Sequence, residues 1–172
     1  MNRVLFLLLF CLSAKINPTF AQAPVQWTNI KDAEALAAKT GKKIMIKTYT
    51  NWCGWCKTMD KSTFPDEHVT KVLNDNYISV QFNAEQKESI TWGGVPYKIV
   101  QTGSGSYHEL AAKWLNNKLT YPTIVILDEK GVVIQAIPGY RKPFEFEQII
   151  AYFAGNFHQK MDWGKFQEEY KH

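Results

Sequence analysis

Two cysteines, Cys53 and Cys56, stand three positions apart in the run Trp52-Cys53-Gly54-Trp55-Cys56-Lys57. Thiols at this spacing close a small disulfide or open to a dithiol. At the start of a helix such a pair is a redox centre rather than a staple. Cys53 is the candidate nucleophile, because unpaired N–H groups and the dipole at a first helical turn favour an anion. A thiolate there has a pKa below the free value of about 8.5 and attacks disulfides near neutral pH. Cys56, one turn on and expected to be less exposed, is placed to resolve a mixed disulfide. Trp52 is expected to form an apolar shelf beside Cys53, and Trp55 to project outward as a partner contact. The plainer alternatives are an inert surface disulfide and a tryptophan that merely packs on the sheet.

Other chemistries fit the sequence poorly. Structural zinc needs four ligands, and the remaining candidates, His68, His108, His158 and His172, contain no H-x₃₋₅-H pair. Haem attachment needs histidine where Lys57 stands. No metal or bound cofactor is therefore expected, only the Cys53–Cys56 redox pair.

The third cysteine, Cys11, lies in an N-terminal stretch that reads as a leader over residues 1–23. Arg3 supplies positive charge, Val4 to Leu12 form an apolar run, and Ala21-Gln22-Ala23 is an A-x-A cleavage pattern. The run is far shorter than the ~20 residues of a spanning helix, so no membrane span is expected in the remaining chain. Lipidation at Cys11 is disfavoured because Phe10 precedes it and it sits inside the apolar run. The implied location is exported, periplasmic in a bacterium, with secretion as the alternative. Of the 20 Lys and Arg, Arg3 and Lys15 fall in the leader. The remaining 18 against 16 acids leave +2. That balance, with no basic stripe, argues against nucleic acid. Residues 24–172 suit a single domain, expected to be a monomer, and two cysteines are too few to staple it.

The elements around the pair are readable. Lys43 to Tyr49 is a strand running into the motif, and Gly54 to Lys61 is the helix carrying Cys56. Lys31 to Thr40 is an alanine-rich helix with Gly41 at its end. Thr63-Phe64-Pro65 breaks the motif helix, and Asp66 is an N-cap for a helix to about Asn74. Tyr77 to Phe82 is a second strand. Ser89 to Val100 reads as a hairpin turning at Gly93-Gly94, residues 103–106 as a flexible loop, and Tyr107 to Leu115 as a helix. Thr123–Leu127 and Val132–Ile137 flank Asp128-Glu129-Lys130-Gly131 as a second hairpin. Pro143 to Ala154 is a last amphipathic helix, and the tail from Gly155 either docks or frays. The pattern gives an α/β fold, a mixed sheet with helices on both faces.

With the strand, the Trp52–Lys57 motif and Thr120-Tyr121-Pro122-Thr123 before the hairpin, the chain resembles the thioredoxin superfamily over roughly Trp27 to Phe153. It looks most like exported thioredoxin-like proteins whose signature is WCGWCK-x-M-D, here Trp52 to Asp60. The resemblance implies a thiol–disulfide oxidoreductase that reduces or isomerises protein disulfides. Its partners would be protein disulfide or dithiol substrates and a redox partner protein. It also implies a thioredoxin-like mixed central sheet with a cis proline at Pro122. Proline lacks an N–H, leaving neighbouring backbone to pair with an extended substrate, and Tyr121 would adjust the fit. Gly54 completes the motif.

One departure stands out. Related reductases carry a buried carboxylate six residues before the first cysteine, where this chain has Lys47. Pointing inward, Lys47 would favour the thiolate and make the pair more oxidising; snorkelling outward, it would be a solvated charge. Glu85, Glu88 and Glu109 are possible replacement proton carriers. Cys53 and Pro122 lie 69 positions apart, which implies an insertion over about 84–118. Trp92, Tyr97, Tyr107 and His108 are its candidate partner contacts, or else cover for a sheet edge. The rival functional reading is a non-catalytic partner-binding module with a redox-responsive disulfide.

Overall fold

The structure is a computed structural model that describes residues 23–103 and 105–171. The expected leader at 1–23 lies almost wholly outside the described residues. Helix α1 (Ile30–Thr40) starts at Asn29, whose side chain accepts the Lys31 N–H at 3.0 Å. It ends at Gly41, whose φ of 70° is the left-handed conformation a glycine adopts without a Cβ penalty. Strand β1 (Lys43–Tyr49) follows, then α2 (Gly54–Ser62), α3 (Glu67–Asn76) and β2 (Tyr77–Asn83). Asp66 caps α3 by accepting the His68 and Val69 N–H groups at 3.0 and 3.1 Å.

Two small hairpins come next: β3 (Ile90–Trp92) with β4 (Val95–Tyr97), and β5 (Ile99–Thr102) with β6 (Gly105–His108). Helix α4 (Glu109–Trp114), β7 (Thr123–Leu127), β8 (Val133–Pro138) and α5 (Pro143–Ala154) complete the domain. The main sheet runs β2-β1-β7-β8, with β1 parallel to β2 and antiparallel to β7. No helix among the described residues is long and apolar enough to cross a membrane.

Strand β1 is buried on both faces, and its centre, Ile44-Met45-Ile46, is apolar throughout rather than alternating. Met45 joins Met59, Leu73, Ile124, Ile126 and Phe146 in a core beneath α2, α3 and α5. Ile44 and Ile46 join Ala33, Phe82, Val125 and Trp114 in a second core beneath α1 and α4. The period of two puts Lys47 on the same face as Met45, towards α2.

The region expected as an insertion differs from its sequence reading. Strands β5 and β6 pair with each other where a loop followed by a helix was expected, with Val100 opposite Tyr107 and Ile99 opposite His108. The β-branched and aromatic residues flanking Gly103 and Gly105 favour paired strands over a helical turn. The helix therefore starts at Glu109. Trp92 and His108 are buried, so they belong to the core and are not partner contacts; Tyr97 and Tyr107 stay half-buried. The tail docks: a 3-10 turn (Phe157–Gln159) and α6 (Trp163–Glu169) fold back. Buried Phe166 meets the Tyr152 ring at 5.0 Å, and the Tyr170 hydroxyl donates to Glu147 at 2.7 Å.

His108 makes the hairpin–helix junction sensitive to pH. Its Nδ1 accepts the Leu110 N–H at 3.2 Å, which leaves Nε2–H to donate to the Glu88 carbonyl oxygen at 3.0 Å. The Nδ1 contact needs the neutral ring, and burial lowers its pKa, with the Glu88 carbonyl and the Glu109 charge opposing. Below the unfolded value of about 6.5 the unfolded chain binds the extra proton first. The stability tied to neutral His108 is thus present above that value and lost as pH falls through the lower folded pKa. Urea midpoints measured from pH 7.5 to 5 should fall less steeply in His108→Asn, which keeps a capping side chain, than in wild type.

Candidate active site

The strand register assembles the site. Thr48, near the end of β1, pairs with Thr123 at the start of β7, and its Oγ1 donates to the Thr123 carbonyl at 2.8 Å. The loop after β1 and the Tyr121–Pro122 segment before β7 therefore leave the sheet at the same edge. The Tyr121–Pro122 bond is cis, and the Pro122 carbonyl accepts the Gly139 N–H at 2.7 Å.

At this edge Cys53 and Cys56 are joined in a disulfide with Cα atoms 5.3 Å apart. Cys53 is the N-cap of α2, and its Sγ accepts the Cys56 N–H at 3.1 Å. That bond is aimed where a Cys53 thiolate would carry its charge, and the helix start adds its positive end. Both cysteines are buried, Cys56 slightly the deeper. Gly54 has no positive φ, and a Cβ there would meet nothing within 4 Å, so the fold itself does not demand glycine.

An aromatic rim stands around the buried pair. Trp52 is 68% and Trp55 63% exposed, unusual for the largest apolar side chains. The Trp52 ring meets Tyr121 edge-on at 6.1 Å, and its Nε1–H donates to Glu85 at 2.9 Å. Burial, then the Glu85 charge, push the Tyr121 hydroxyl up to about 12. Trp55 lies against Tyr140 at 5.5 Å, and the Tyr140 hydroxyl is 3.1 Å from Ser62 Oγ.

Lys47 points inward. Its side chain is 1% exposed, and its ammonium is paired with Asp60 of α2, which is 41% exposed. The Tyr49 and Phe64 rings lie 5.2 and 5.5 Å from its Nζ. Burial pulls its pKa below the usual 10.5, with the hydrogen bond and charge of Asp60 opposing. Asp60 follows Cys56 by four residues, so the two share one face of α2.

Of the carboxylates considered as proton carriers, Glu85 reaches the rim. Glu88 instead pairs with Lys31, and Glu109 accepts the Lys98 N–H at 2.7 Å. Asp60, at the end of the motif, and Tyr140 make site contacts that the motif alone does not mark. Spacing from Cys56, together with an inward Lys47, was available to mark Asp60. Nothing local marked Tyr140, which reaches Trp55 through the β8–α5 connection. Among the described residues no group of three or more His, Cys, Asp or Glu forms a metal-binding cluster.

Residues 30–154 match the Thioredoxin_2 family, a thioredoxin-like domain, and the chain belongs to that family. Among curated proteins it is 33% identical over 102 residues to the thiol:disulfide interchange protein DsbD of Yersinia enterocolitica, matching 59% of this chain. The match spans 14% of that protein's length. Among solved structures, a DsbH oxidoreductase overlays with a TM-score of 0.58 at 16% identity, covering 80% of this chain and 89% of the other. A thioredoxin from Thermus thermophilus gives 0.58 at 20% identity, covering 81% and 98%. These overlays establish the shared fold.

Proposed function

We propose that the protein is an exported thiol–disulfide oxidoreductase that reduces or isomerises disulfides of client proteins. The observation that carries this reading is the Cys53–Cys56 disulfide at the N-terminus of α2, with an N–H held on Cys53 Sγ. In the dithiol form, Cys53 thiolate attacks one sulfur of a client disulfide; a Cys53–client bond forms as the client S–S bond breaks. The displaced client thiolate takes a proton from solvent. Cys56, deprotonated, then attacks Cys53 Sγ, releasing the second client thiolate and closing Cys53–Cys56. Two electrons pass to the client, and a dithiol redox partner must return them. In isomerisation the released client thiolate attacks another client disulfide instead.

Trp52, Trp55 and Tyr121 supply apolar contact for an extended client segment beside the buried sulfurs, and Pro122 leaves no N–H to compete with it. Localisation outside the cytoplasm, periplasmic or else secreted, rests on the leader pattern at residues 1–23. It suits a client population that carries disulfides.

Insulin reduction by the full chain with dithiothreitol as electron source tests the reading. Wild type should accelerate precipitation of the insulin B chain, and Cys53→Ser should match the protein-free rate. Equal rates for both would support the partner-binding alternative, in which the disulfide is only a latch.

A further inference from the structure

The fully buried Lys47 has no role in the scheme above, yet burying a lysine carries a large desolvation cost that structure alone rarely repays. Its Nζ is aimed at α2 and held by Asp60, four residues beyond Cys56 on the same helix face. Positions four apart on a helix lie about 6 Å from one another, so the ion pair sits within one turn of the resolving sulfur. Asp60 is the charged group that the described contacts bring to Lys47 Nζ, and it comes from α2. From β1 and the segment after α2 come only the Tyr49 and Phe64 rings. The strand positions flanking Lys47 in register are Gln81 and Ile124, both uncharged.

The two charges are placed asymmetrically. The ammonium is sealed from water, where its field is weakly screened, and the carboxylate is partly solvated, where its field is damped. The less screened charge of the pair is therefore the positive one.

We propose that the Lys47–Asp60 pair is the element that sets the redox potential of Cys53–Cys56, with Lys47 stabilising the thiolate form and Asp60 moderating it. This rests on the oxidoreductase reading. Reduction converts Cys53–S–S–Cys56 plus two electrons and one proton into one thiol and one thiolate near neutral pH. A positive field favours that product and shifts the pair towards accepting electrons. Lys47 and Asp60 are positioning residues that act through the sulfurs and touch no client.

The test is the equilibrium of the full chain with reduced and oxidised glutathione, read by thiol alkylation, together with thiolate absorbance at 240 nm against pH. Lys47→Met keeps the side chain's length, removes the buried charge and leaves Asp60 partly solvated, so it should fold. It should lower the tendency to accept electrons about tenfold, about 30 mV, and move the Cys53 thiolate transition to higher pH. Asp60→Asn should move both readouts the opposite way. It leaves a buried cation unpaired and is the variant at risk of not folding; Lys47→Met then decides alone. Lys47→Met within twofold of wild type in both readouts overturns the proposal, as does a folded Asp60→Asn that shifts in the same direction as Lys47→Met. If the wild-type disulfide fails to equilibrate with glutathione, the functional reading falls and takes this one with it. A wild type that equilibrates beside an indistinguishable Lys47→Met removes this inference only.

Discussion

Replacing Cys56 with serine should turn the protein into a trap for its clients. Cys53 Sγ keeps its position at the start of α2 and the backbone N–H that points at it, so it still attacks a client disulfide. With the resolving sulfur gone, the mixed disulfide has no intramolecular exit. Covalent adducts should accumulate that run as protein pairs on a non-reducing gel and collapse on adding dithiothreitol. Multiple-turnover reduction should fall by at least ~100-fold, as expected when one member of a unit acting in concert is removed. Cys53→Ser should lose turnover equally and form no adducts, because Cys56 lies inside the first turn of α2, away from the N-cap position that holds Cys53 Sγ against a backbone N–H. Adducts of equal yield through either single mutant would mean that helix position does not distinguish the two sulfurs.

The second large effect is on stability. Trp114 in α4 is buried, with its ring edge-on to Phe82 of β2 and Trp92 of β3, both at 5.1 Å. It ties the β3–α4 region to the main sheet. Trp114→Ala should cost about 3–5 kcal/mol, the range for deleting a buried Trp or Phe. That is a large fraction of the roughly 5–15 kcal/mol that separates a folded domain from its unfolded chain. Its Nε1–H finds no acceptor among the described residues, so Trp114→Phe removes an unpaired buried donor along with the smaller ring loss. Phenylalanine should therefore recover most of the stability lost with alanine, as read from urea midpoints at constant m-value. A midpoint for Trp114→Ala close to wild type would make residues 84–118 an appendage rather than part of the core.

Much of this site is legible in the amino-acid sequence. The Cys53–Cys56 spacing, the strand of residues 43–49 and the Gly41 and Asp66 helix boundaries are local signals, each set by a few adjacent residues. They agree with the fold because β1 is central and its neighbours are assigned by their own patterns. The β5–β6 pairing is not legible in that way, because Tyr107 to Leu115 fits a helical stripe equally well. Pairing with Ile99 and Val100 decides the outcome, and a single strand's sequence does not display its partner. The burial of Trp92 and His108 is likewise tertiary: each contacts residues far along the chain, including Gly131 for Trp92 and Glu88 for His108. Lys47 shows the same limit at the site itself. Its parity on β1 allows an inward direction, but the choice depends on Asp60 arriving from α2 to hold the charge.

The central claim is that Cys53 and Cys56 form a reversible redox couple rather than a fixed crosslink. Equilibration of the full chain against glutathione buffers of graded composition tests it most directly. The account predicts a single two-electron transition between about −270 and −120 mV, the span of working thiol–disulfide proteins. A disulfide that stays closed at every glutathione ratio, with a potential below about −300 mV as structural crosslinks have, would contradict it.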